Sequence, residues 1–191
     1  LGLPDLSPIH RIDRDTAGLV LLSTQRSDRG AYQALFREQR VHKTYQAIAP
    51  YRPELGFPRE HRSRMQESGH FIRMQEVDGP PNSHTRLTLL EHNTHWARYQ
   101  LEPISGKRHQ LRVHMAALGI GILGDGLYPE VNDAPEGDFS RPLRLLAQAI
   151  AFTDPLTQQQ RHFHSQYTLG ALPPEPAPSG QQTWQGLPAN A

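Results

Sequence analysis

Two neighbouring segments, HTRLTLLE at 84–91 and WARYQLEPI at 96–104, constrain the fold more than any other part of the chain. Leu87 and Leu89 alternate with polar residues in the first, and Ala97, Tyr99 and Leu101 alternate in the second. Side chains two apart on a strand share a face, so each segment reads as a strand with one buried side. The His-Asn-Thr-His connection between them is short, which predicts an antiparallel hairpin. A lone hairpin is marginal in water, so other elements must cover its apolar face.

Candidates for that cover lie on both sides. GLVLLS (18–23) reads as a short buried strand, and VHKTYQAIA (41–49) as an alternating one. SDRGAYQALFREQ (27–39) predicts a helix with Ser27 as N-cap and Ala31, Leu35 and Phe36 on one face. A second helix is predicted over 106–118, capped by Ser105, striped by Leu111, Met115 and Leu118, and ended by Gly119. LRLLAQAIAF (143–152) is a strand or a short helix, with strand preferred at its end. Residues 50–83 lack sustained periodicity and read as an extended loop with short strand pieces. Residues 171–191 are rich in proline and poor in large aliphatics, the composition of a disordered tail. Paired strands with few helices indicate an α+β domain over residues 1–170, not a βαβ series.

Composition narrows the chemistry. Cysteine is absent, which excludes disulfides, thiolate catalysis and Cys-based zinc sites. No apolar run approaches the roughly 20 residues of a membrane span, and no leader segment is apparent, so a cytoplasmic protein is expected. Residues 1–114 carry 17 Lys/Arg against 12 Asp/Glu, whereas 115–191 carry 3 against 7. That asymmetry, with 18 of the 20 basic residues being arginine, suits a phosphate-bearing partner. Compositional drift would produce the same numbers.

Three constellations could carry chemistry. In HRIDRDTAGLVLLS (10–23), Asp13 and Asp15 sit beside Arg11 and Arg14, just before a buried strand. Such a carboxylate is either held rigidly for catalysis or caps a turn neutralised by the arginines. In SGKRHQLRVH (105–114), Arg108 and Arg112 are four apart, with His109 at the edge of their face. The Ser105-Gly106 start of that predicted helix offers N–H groups to phosphate, though the residues alone favour a merely solvated face. His109 and His114 are five apart, not the four of a zinc helix; His92 and His95 flank a turn; His162 and His164 would point the same way on a strand and could ligate a metal, but no third ligand is evident. Phosphate-loop, dinucleotide and hydrolase-elbow motifs are missing.

Taken together, these stretches resemble the RluA-like family of RNA pseudouridine synthases. HRIDRDTAGLVLLS is similar to the family's catalytic loop and following strand, and KTYQAIA (43–49) to its aromatic-bearing strand. PISGKRHQLRVHMAALGIGILGDGLYPE (103–130) resembles its third motif, and LRLLAQAIAFTDPLT (143–157) its closing strand. The likeness spans most of residues 8–157. The family's first motif, a Lys-Pro-Gly strand, has no counterpart, so an N-terminal strand is expected to be missing.

The resemblance implies a central mixed, largely antiparallel sheet split by a catalytic cleft, with flanking helices. It implies isomerisation of uridine to pseudouridine in ribosomal or transfer RNA, without cofactor or metal, by a monomer. Asp13 becomes the catalytic carboxylate, acting on the ribose of a flipped uridine either as nucleophile or as base. Arg112 becomes its partner, expected as a bidentate pair that keeps a buried carboxylate charged. Tyr45 would stack on the uracil, and Arg11 would fill the space the uridine leaves. Lys107 and Arg108 read as phosphate contacts. Two rivals remain: an RNA-binding module of the same fold with impaired catalysis, and a metal-dependent phosphodiesterase built on Asp13, Asp15 and histidines.

Overall fold

The computed structural model describes residues 2–69, 72–131 and 140–175. In chain order the strands are β1 (Ser7–Pro8), β2 (Ala17–Gly18), β3 (Leu22–Ser23), β4 (His42–Pro50), β5 (Arg59–Glu67), β6 (Met74–Val77), β7 (Ser83–His92), β8 (Trp96–Pro103), β9 (Leu145–Thr153) and β10 (Gln160–His164). Helix α1 (Arg29–Arg37) lies between β3 and β4, and α2 (Gln110–Ala117) follows β8.

The hairpin anticipated from alternation is β7–β8, with Leu87 opposite Leu101 and Leu89 opposite Tyr99. It sits mid-sheet in the order β10-β9-β4-β8-β7-β5-β6, with every pair antiparallel except β2, which adds parallel to β9. The sheet is therefore mixed and largely antiparallel. Leu87, Tyr99 and Leu101 are fully buried and meet Leu111 and Met115 of α2 in one core cluster. Truncating such a leucine to alanine costs about 2–5 kcal/mol. The Tyr99 hydroxyl is satisfied by donating to the Pro50 carbonyl at 2.9 Å.

Helix α2 is buried all round over Gln110–Met115, and its end follows the pattern expected from Gly119. That glycine has φ +72°, the Gly119 N–H bonds the Ala116 carbonyl, and the Ile120 N–H bonds that of Met115. Its start differs from expectation: residues 105–109 form a turn, and Ser105 is no N-cap. The Ser105 hydroxyl instead donates to Gln110 Oε1 at 2.7 Å and accepts the His84 N–H at 2.9 Å. Gln110 ties the turn down, taking the Lys107 N–H on Oε1 and donating to the His84 carbonyl and Thr85 Oγ1. Ser27 likewise lies in a 3-10 turn ahead of α1, its hydroxyl bonded to Asp28.

Two further expectations are corrected. GLVLLS is not one buried strand: Gly18 joins β9, Leu22 joins β1, and Val20 and Leu22 are exposed. A Cβ on Gly18 would collide with the Ala147 carbonyl oxygen, so this close approach requires glycine. Residues 50–83 hold two strands rather than a loop. β5 pairs on both edges yet buries only Met65, so backbone hydrogen bonding defines it without an apolar period.

Of the proposed tail, residues 171–175 lie along the sheet: Leu172 packs beside Ile48 and Leu146, and Asn93 bonds the Pro173 carbonyl. The remainder, 176–191, lies outside the described residues. No helix among the described residues is long and apolar enough to cross a membrane.

Candidate active site

A cleft of about 190 Å³ opens over the middle strands, between the 10–16 loop and the 105–110 turn. The loop is anchored at its base. Ile9 is buried, and the His10 ring stacks on Phe36 with centroids 4.6 Å apart. His10 Nε2 accepts the Leu21 N–H at 3.0 Å, so its proton sits on Nδ1, facing the Arg11 carbonyl. Burial lowers the His10 pKa, which keeps this neutral arrangement. The Thr16 N–H closes a turn on the Asp13 carbonyl at 3.0 Å. Asp13 therefore projects from a fixed turn into the cleft, its side chain 16% exposed.

Strand β4 supplies the opposite wall. Lys43 and Tyr45 share its cleft-facing side, and β9 carries one extra residue, Gln148, at the Thr44/Tyr45 step. Bulges of this kind bend a strand and re-aim side chains beside functional sites. Burial, and secondarily the Asp13 charge, pushes the Tyr45 phenol up to about 12, so it remains protonated near neutrality. Lys43 Nζ donates to the Ser105 carbonyl at 3.3 Å, and burial lowers its pKa.

Arg112 lies behind Asp13, and here the anticipated pairing is corrected. Its bidentate partner is Asp125, with Nε to Oδ2 at 2.8 Å and Nη2 to Oδ1 at 2.6 Å. Asp13 Oδ2 is 4.0 Å from Arg112 Nη1. The physical reason is burial. Arg112 is 2% exposed and needs a carboxylate in direct contact, whereas Asp13 must stay open to the cleft. Burial alone would lower the Arg112 pKa, but the Asp125 hydrogen bonds and charge, aided by Asp13, raise it. Asp125 Oδ1 also accepts the Leu127 and Tyr128 N–H groups, so its orientation is fixed from two sides.

Of the residues singled out from sequence, Arg11, Asp13, Tyr45 and Lys107 line one cleft, and Arg112 stands behind it. Arg108 does not share a face with Arg112; it turns toward Glu67 at 3.8 Å. Asp15 pairs with Arg14 at the surface, away from any shared carboxylate site. Lys43, Asp125 and Tyr128 belong to this region but were not singled out, and His109 was read only as the edge of the arginine face. The pattern Gly-Asp-Gly-Leu-Tyr at 124–128 was the available signal.

A second polar cluster lies under α2. His61, Glu76 and His114 bring three ligand atoms within 4.8 Å, a donor set of the kind that holds zinc. His114 is wholly buried, which lowers its pKa to about 3, and hydroxyls of Ser83 and Thr85 bond its two nitrogens. His61 bonds Glu76 directly at 2.8 Å. The His162/His164 pair lies exposed on β10, outside this cluster.

A family model described as RNA pseudouridylate synthase matches residues 1–117. An uncharacterized RNA pseudouridine synthase of Haemophilus influenzae is 35% identical over 134 residues, covering 67% of this chain and 57% of that protein. The dual-specificity RNA pseudouridine synthase RluA of Pasteurella multocida is 32% identical over 164 residues, covering 82% and 71%. The solved human RNA pseudouridylate synthase domain containing 1 shares the fold, with a TM-score of 0.70 at 24% identity, over 84% of this chain and 69% of that one. The chain spans little more than half the length of the first curated relatives it matches.

Proposed function

Because the chain belongs to the RNA pseudouridylate synthase family, we propose that it isomerises a uridine in RNA to pseudouridine, with Asp13 as the reacting carboxylate. The observation that carries the reading is the cleft itself: one carboxylate on a fixed turn, facing an aromatic ring on β4, with a buried guanidinium behind it.

The reaction breaks the bond between the ribose anomeric carbon and uracil N1, joins that carbon to uracil C5, and moves the C5 proton to solvent while N1 is protonated. Asp13 acts at the sugar, either attacking the anomeric carbon or removing the neighbouring sugar proton. Tyr45 stacks on the uracil through the turnover and serves as a neutral phenol, since its proton is retained near pH 7. Base–aromatic stacking is worth about 1–3 kcal/mol. Arg11, exposed at the cleft rim, occupies the gap in the stack and lowers the cost of extrusion. Lys107 at the mouth of the cleft takes a flanking phosphate, and Arg108 steers the strand past Glu67. The substrate is ribosomal or transfer RNA, supported by relatives named for ribosomal large-subunit and dual-specificity activity. The cleft lies on one chain, which supports action as a monomer, and a cytoplasmic location is part of the same proposal.

Site-resolved pseudouridine mapping of total RNA, with and without the gene, tests this. One or more uridines should lose the modification on deletion and regain it with the wild-type gene but not with Asp13→Asn. An unchanged map would refute the reading. RNA binding with no modified site would instead favour a binding module that has lost catalysis.

A further inference from the structure

We propose that His109 is a positioning residue for Asp13, presenting its Nε2–H to one carboxylate oxygen while Arg112 faces the other. The inference rests on Asp13 being the reacting group. His109 precedes α2 in the left-handed region, φ +54° and ψ +17°, which L residues other than Asn, Asp and His seldom adopt. That conformation turns its ring into the cleft wall, where it is 11% exposed.

The ring's proton is placed by its neighbours. Tyr128 Oη accepts the Met74 N–H at 2.7 Å and lies 2.9 Å from His109 Nδ1. A phenol carries one proton, and His109 Nδ1 is the acceptor in reach for it. Donation from Tyr128 to Nδ1 leaves the imidazole proton on Nε2, which faces Asp13 Oδ1 at 4.0 Å. The opposite tautomer would strand the phenol proton and aim a lone pair at a carboxylate. Burial, together with Arg112 and Arg108, outweighs Asp13 and Asp125 and lowers the His109 pKa, so the neutral donor prevails.

Arg112 Nη1 stands 4.0 Å from Asp13 Oδ2, the same separation as His109 from Oδ1. Two donors thus flank two oxygens and define the carboxylate plane. Neither distance is a hydrogen bond yet; such contacts commonly shorten when substrate displaces water. His109 acts through Asp13 and needs no contact with the uridine.

Two measurements on the full chain test this independently. The first, imidazole ¹⁵N–¹H NMR of the free protein, needs no turnover. Wild-type His109 should be the Nε2–H tautomer and titrate below 6.5, and Asp13→Asn should lower its titration further by removing a charge that raises it. Tyr128→Phe should mix the tautomers. An Nδ1–H tautomer, or a titration indifferent to Asp13→Asn, would overturn the proposal. The second is kinetic. Asn suits the left-handed backbone, but its amide is too short to reach Asp13. His109→Asn should therefore fold normally and lose up to about 100-fold in kcat with little change in KM, the cost of misplacing a reacting group by about 1 Å. His109→Gln, which restores an N–H at similar reach and whose residue type already takes this backbone at Gln39 and Gln158, should recover most of that loss. Wild-type kcat in His109→Asn would refute the role. If the wild-type chain makes no pseudouridine at all, the proposed function fails while the NMR result still decides the His109 geometry.

Discussion

Replacing Asp125 with asparagine isolates the charge that holds Arg112. The side chain keeps its shape, and its amide oxygen can still accept the Leu127 and Tyr128 N–H groups. What it loses is the partner of a guanidinium 2% exposed, bonded at 2.6 and 2.8 Å. Asp13 cannot substitute from 4.0 Å while pointing into the cleft. Breaking a buried ion pair from one side costs about 3–5 kcal/mol, because the remaining charge stays desolvated. For a chain of this size each kcal/mol moves Tm by about 2–4 °C, so the variant should melt about 6–20 °C lower. Urea denaturation followed by circular dichroism gives the same difference as free energy. Asp125→Ala should lose about 1–3 kcal/mol more, since two buried N–H groups then lack an acceptor. Adding Arg112→Met to Asp125→Asn should recover stability, because the stranded charge is gone. A loss below about 1 kcal/mol in Asp125→Asn would show that the pair is not buried as described.

Other outcomes follow from the same geometry. His114 folds with its pKa lowered to about 3, so its contribution is full above 6.5 and is lost as pH falls toward 3. Stability should therefore decline as the pH falls from 6.5 to 4.5, before most carboxylates titrate, and His114→Gln should flatten that slope. Tyr45→Phe should keep activity within a few-fold and leave the pH profile unmoved, whereas Tyr45→Ala should weaken RNA binding by about 1–3 kcal/mol. Lys107→Ala should reduce the slope of log affinity against log salt by about 1, the signature of one lost phosphate contact. Chelator, and zinc added after it, should leave both rate and Tm unchanged; a Tm raised by zinc in the wild type but not in His61→Ala would place a metal at His61, Glu76 and His114.

The sheet was legible where burial has a period. The β7–β8 hairpin alternates because one face meets α2; β4 puts Ala47 and Ala49 on that face but also buries Ile48 against Leu146 and Leu169 on the other. β5 was illegible because its inward side chains, His61 and Ser63, reach polar groups under α2 rather than apolar ones. The start of α2 misled because Gln110 reaches back to the Ser105 hydroxyl and the Lys107 N–H, which closes 105–109 into a turn and leaves the helix to begin after His109 with no side-chain cap. Of the side chains that line the cleft, Arg11, Asp13, Tyr45 and Lys107 could be picked out through motif position. The identity of the Arg112 partner could not: Asp125 lies 13 residues on, and no local period links the two. His109 could be read only as the edge of the arginine face, because its ring takes its direction from the left-handed backbone and the Tyr128 bond.

Tritium release from RNA labelled at uracil C5 tests the central claim most directly, because forming a carbon-linked nucleoside expels that hydrogen. The purified chain should release tritium from a responsive RNA, and Asp13→Asn should release none while binding the same RNA as tightly. Release by Asp13→Asn at the wild-type rate would contradict the assignment of Asp13 and of the cleft built around it.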